Sequence, residues 1–202
     1  MLGGGVRDAL VGGNLLIGVA FGVGLAIWSF VVDLHREGSG VLSTETNLNL
    51  ASLLGVGHMT FVLDNSVVVS IFVSLLLLLF LFLLRTTLRR MWIAAVVFIV
   101  VLTLGFVASI GLGHVGLFDW VTLPLYSALL VFVLTRFGIL TLIVTFSVAD
   151  TLGSFPLTVD LSTWYAGSSL FAFASVLTLT AYALYTALAG RPLFKAEFLD
   201  SD

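Results

Sequence analysis

Four side chains of chemically capable type stand in or beside long apolar runs: His58, Asp64, His114 and Asp150. An imidazole nitrogen needs only one open coordination position and a flat apolar slot beside it. His58 and His114 are therefore candidate axial ligands to a porphyrin-like or chlorin ring, or to a metal. No paired histidine at helical spacing and no nearby carboxylate cluster accompanies either of them. The preferred reading is an interfacial histidine bonded to backbone or water, and no metal site is assigned. Asp150 is the only acid well inside an apolar span, about 21 Å along the chain from Arg136 if both lie on helix. Burying a carboxylate in lipid is costly, so such a residue is a candidate for proton-linked or solute transport. Its neighbours Ser147, Thr151 and Ser154 are the expected hydrogen-bond partners, and a structural role satisfied by hydroxyls and water is preferred. An intramembrane enzyme would need two polar groups converging at one depth. Only His58, Asp64, His114 and Asp150 near one face offer this, and no catalytic residue is assigned.

Two motif matches carry nothing. Gly111-Leu-Gly-His-Val-Gly116 has the spacing G-x-G-x-x-G, but a dinucleotide site needs a strand before it and a helix start after it. His35-Arg36-Glu37 lacks the Asp and Asn of a kinase catalytic loop. Both read as turns or solvated loop.

The elements that hold these residues are set by hydropathy. Of the 202 residues 60% are hydrophobic and 9% are charged, against about 25% charged in a soluble domain. The chain cannot cover a water-exposed surface and reads as one membrane domain, residues 1–202. Cysteine is absent, which excludes disulfides, thiolate metal sites and a cysteine nucleophile. No basic tract for nucleic acid is present. The clearest span is SVVVSIFVSLLLLLFLFLL, residues 66–84, which as a helix covers about 28 Å, close to the roughly 30 Å hydrocarbon core. Arg85, Arg89 and Arg90 stop it at an interface.

Six spans are expected, at about 9–32, 65–84, 91–110, 120–135, 137–152 and 164–188. The first is too long for a signal-peptide core and reads as a retained helix. A tight hairpin at Arg136, eased by Gly138, separates the fourth from the fifth. Pro124 falls near the first turn of the fourth, where proline is tolerated. With the amino terminus inside, Arg7, Arg85, Arg89, Arg90, Arg136, Arg191 and Lys195 are cytoplasmic and only Arg36 is outside, so both termini are expected in the cytoplasm. Trp92, Trp120 and Trp164 read as interface anchors. Residues 33–64 form the large outer loop, polar at first, then a short extra helix capped by Thr46 or Asn47 and lying along the interface. Residues 152–163 form a second outer loop, broken by Pro156. The first span carries Gly18-x-x-x-Gly22 and Ala20-x-x-x-Gly24, and the last carries Ala166, Gly167, Ala172, Ala174 and Ala181. Small residues four apart let membrane helices approach closely.

Several stretches, LLLLLFLFLLRTTLRRMWIAA, FVLTRFGILTL, FPLTVDLSTWYAGSSLFA and YTALAGRPLF, together resemble the multi-pass C-terminal membrane region of acidobacterial-type serine/threonine protein kinases. VRDALVGGNLLIGVAFGV is similar to a helix upstream in that region, so the resemblance spans about residues 6–194 in the same order. It implies a membrane domain without chemistry, because the kinase part itself is absent, and it gives no catalytic residues to carry over.

The expectation is thus an all-α, six-span bundle in the bacterial cytoplasmic membrane. It would act as a non-enzymatic anchor or accessory subunit of a larger assembly, in contact with lipids and other membrane subunits. Chlorin or carotenoid pigments are expected if that assembly handles light. The rival is a small-solute or lipid transporter using Asp150.

Overall fold

The computed structural model describes residues 9–38, 53, 55–110, 115–158, 160, 162–163 and 165–188. Among them the chain is all-helical, with α1 (Ala9–Gly38), α2 (Val56–Leu88), α3 (Met91–Ile110), α4 (Asp119–Phe137), α5 (Ile139–Ser154) and α6 (Ala166–Leu188). Five of these are long and apolar enough to cross a membrane, and α5 is a shorter apolar helix. This is the profile of a multi-pass membrane protein, whose apolar outer faces would meet lipid.

α5 lies at the centre and packs against α1, α2, α4 and α6. Two glycines let α1 reach it. A Cβ added at Gly18 would stand 2.8 Å from the Val144 Cβ, and one at Gly22 would stand 2.7 Å from the Val148 Cβ. Only a bare backbone fits there. Thr141 and Thr145, both fully buried, use the same approach. Their hydroxyls donate to the Asn14 and Gly18 carbonyls of α1, each at 3.3 Å. As α1 advances by four residues so does α5, so the two run parallel. Gly12 meets the backbone at Thr186 and Ala187, so the end of α6 returns to the start of α1 and the two are antiparallel.

The remaining helices follow by hairpins. Arg89 and Arg90 alone separate α2 from α3, and Phe80 packs on Phe98 at 5.2 Å. Gly138 alone separates α4 from α5. Its φ of 88° and ψ of −177° suit glycine and little else. Leu77 and Leu81 cluster with Leu142, while Val62 clusters with Phe155 and Ala172, which sets α2 antiparallel to α5. Helix direction therefore alternates from α1 to α6. Arg85, Arg89, Arg90 and Arg136, all exposed, fall at one end of the bundle.

Several boundaries differ from the sequence expectation. α1 continues past residue 32 to Gly38, because Asp33 to Arg36 are compatible with helix and Arg36 is anchored to α4 (below). No separate interfacial helix occupies residues 56–63, which are instead the first two turns of α2. Nothing between His58 and Leu84 breaks helix: there is no Pro or Gly, and Asp64 and Asn65 are exposed. Of the rest of that expected helix only Leu53 and Gly55 are described; Thr46 and Asn47 lie outside the described residues, as do Trp164 and the residues 111–114. Gly55, with φ 118°, precedes α2. α4 begins at Asp119, which puts Pro124 at its sixth position, one residue deeper than a start at 120 gives. There it denies the Trp120 carbonyl its helical partner.

Candidate functional site

Asp150 is on the surface of the bundle. α5 buries most of its circumference and leaves one narrow outward stripe, with Leu140, Asp150 and Gly153 exposed and Ile143 and Ser147 half-buried. The expected hydroxyl partners turn elsewhere. Thr151 is buried and its hydroxyl donates back to the Ser147 carbonyl at 2.7 Å, and Ser154 is buried as well. Threonine in a membrane helix commonly closes on its own i−4 carbonyl, and here that removes it from Asp150. Among the described residues no hydrogen bond or ion pair holds the Asp150 carboxylate.

Tyr126 of α4, half-buried, stands level with it across the hairpin. The hairpin explains the pairing: counted from Gly138, Tyr126 lies twelve residues back (138 − 126) and Asp150 twelve forward (150 − 138). Phe106 of α3 meets the Tyr126 ring edge-to-face at 5.4 Å, a favourable aromatic geometry that fixes the ring. A carboxylate and a phenol thus share one depth on the bundle surface.

A second polar group gathers at the end opposite the arginine-rich one. Arg36 donates from Nε (3.0 Å) and from a terminal nitrogen (2.8 Å) to one oxygen of Asp119. The Gly116 backbone N–H donates to the other oxygen at 2.9 Å. Asp119 is 3% exposed, and the His35 ring stacks on Phe118 beside it at 4.1 Å. The outer loop after α5 is pinned by Ser169, which donates to the Pro156 carbonyl at 2.6 Å and accepts from the Thr158 N–H at 2.9 Å. In that loop the Ser162 hydroxyl and N–H both donate to Asp160 and hold its carboxyl below the usual range.

The other sequence candidates are dispersed. His58 is exposed in the first turn of α2, and Asp64 is exposed two turns on. His114 lies outside the described residues. Among the described residues no group of three or more His, Asp or Glu side chains is placed to hold a metal ion. Gly18 and Gly22 are packing residues against α5, whereas Gly24 faces open space and Ala20 is exposed. Gly12, which seats the end of α6, was not singled out from sequence. It stands six residues before Gly18, about 120° around the helix, and so faces α6 rather than α5. Comparison of the chain with family models, with curated proteins and with solved structures finds no match.

Proposed function

We propose that this chain is a non-enzymatic, six-span anchor or accessory subunit of a larger membrane assembly. In this reading it sits in the bacterial cytoplasmic membrane with both termini on the cytoplasmic side. The observation that carries it is the split between the two small-residue pairs of α1. Gly18 and Gly22 are used inside the chain, while Ala20 and Gly24 present a second bare strip to the outside. Lipid gains nothing from such a strip, but another helix can approach it closely. α6 repeats the pattern, with Gly167, Ala174 and Ala181 exposed. The alternation of helix direction supports six crossings. Four exposed arginines at one end support the orientation, and the resemblance to a kinase-associated membrane region supports a module without chemistry.

Replacing Gly24 by Leu tests the reading. In mild detergent the natural chain is expected to run as a high-mass species, and the variant to keep its fold and lose it. An unchanged species of the same mass would overturn it. An absorbance spectrum of the same preparation tests a chlorin or carotenoid partner, and His58→Ala tests its ligation. The transporter reading rests on Asp150. Its outward position on the bundle, rather than between helices, favours assembly over transport.

A further inference from the structure

Two counts place Asp150 inward of the outer end of the bundle. It is four residues from the end of α5 at Ser154, or about 6 Å. Tyr126, level with it, is six residues inward of Trp120, or about 9 Å, and a half-exposed tryptophan such as Trp120 belongs at the headgroup level. An exposed, unpaired carboxylate at that depth is unfavourable in lipid and calls for a partner.

The described basic side chains cannot supply one: His58 precedes Val62, which already packs at the level of Phe155, and His35 is seventeen residues beyond Gly18, which meets Thr145, so both stand outward of Asp150. Arg36 is committed to Asp119. Arg85, Arg89, Arg90 and Arg136 lie at the far end of the bundle, Arg136 about 15 Å from Asp150 in depth because α4 and α5 reverse at Gly138. A second copy of the chain in the same membrane would carry the same residues at the same depths, so self-association would not neutralise Asp150. The partner must bring its own cation at this level.

We propose that Asp150 is the docking point for a basic side chain on the membrane helix of a different subunit, which seats along the Leu140–Gly153 stripe of α5. The proposal rests on the accessory-subunit reading and adds its chemistry: a Lys, Arg or His facing the carboxylate, with Ser147 and Gly153 leaving room for the helix that carries it. Interhelical charge pairing of this kind fixes register and partner choice more than it adds affinity.

The test is photo-crosslinking in native membranes, with benzoylphenylalanine placed singly at Ser147, at Gly153 and, as a reference, at Ala20 of the full chain. The expected result is a protein adduct from Ser147 or Gly153 that mass spectrometry maps to an apolar segment holding Lys, Arg or His. Asp150→Asn should lower its yield about tenfold or more, and exchanging charges (Asp150→Lys with the partner's basic residue changed to Asp) should restore it. Adducts from Ala20 alone would overturn the docking point while leaving the subunit reading standing. Absence of protein adducts from all three positions would remove both. Lipid adducts at Ser147 and Gly153, self-adducts only, or a yield indifferent to Asp150→Asn would each overturn the proposal.

Discussion

Arg36 of α1 and Asp119 of α4 meet at 2.8 Å across 83 residues of sequence, and this pair ties together the end of one helix and the start of another. Removing the carboxylate strands a guanidinium that is one-fifth exposed and a backbone N–H. Asp119→Ala is expected to destabilise the chain by about 2 kcal/mol, less than a fully buried pair would lose. Arg36→Ala alone should cost less, and the double variant should fall well short of the sum. Thermal unfolding in detergent across this mutant cycle measures the coupling.

The two glycine pairs of α1 predict opposite outcomes for one substitution. Gly18→Leu or Gly22→Leu drives a side chain into Val144 or Val148 and should cost roughly 3 kcal/mol or prevent folding. Gly24→Leu meets nothing and should leave the melting temperature of the isolated chain unchanged. Gly12→Leu should behave like Gly18→Leu, since it meets the α6 backbone.

At Gly138 the demand is conformational rather than steric, since an added Cβ meets no atom within 4 Å. Its φ of 88° is strained for any other residue. Gly138→Ala should cost about 1–3 kcal/mol, read by thermal unfolding, with Gly153→Ala as a control of near-zero effect.

Ser74 is fully buried and its hydroxyl has no hydrogen-bond partner among the described residues. Ser74→Ala is therefore expected to be neutral or stabilising by up to about 1 kcal/mol. Ser127→Ala removes the 3.2 Å bond that Thr103 makes across α3 and α4 and should cost about 0.6 kcal/mol, the average for such bonds in membrane helices. Paired denaturation curves in one detergent separate the two.

Cysteine is absent from the chain, so single cysteines report topology directly. Arg89→Cys and Arg136→Cys should react with an impermeant maleimide from one side of sealed vesicles, and Asp160→Cys from the other. Labelling of Asp160→Cys and Arg136→Cys from the same side would break the six-crossing arrangement.

The helices themselves were legible. α2 runs through Arg85 to Leu88, one turn past the expected end at 84, whereas α3 spans the expected residues 91–110 because its signal is local. The hairpin at Gly138 was legible for the same reason. The continuation of α1 through Asp33 to Arg36 was not, since those residues look like loop until Asp119 is known to hold Arg36. Asp150 stood out as an intramembrane acid, but its neighbouring hydroxyls were the wrong guess. Thr151 closes on its own helix, and the polar residue level with the carboxylate, Tyr126, is found by counting equal distances from the hairpin glycine. The glycine pairs were visible as motifs, whereas which pair turns inward depends on how α5 is rotated.

The parallel pairing of α1 with α5 has a consequence for how the protein is made. Helices that run the same way cannot be neighbours by a simple turn, and their shared hydrogen bonds bridge 127 positions. The first helix to be synthesised must wait, its glycine notch vacant, until the fifth has emerged and slotted in. Ribosome-stalled chains ending before Ile139 should therefore be loose and protease-sensitive, with rigidity arriving abruptly once α5 is released.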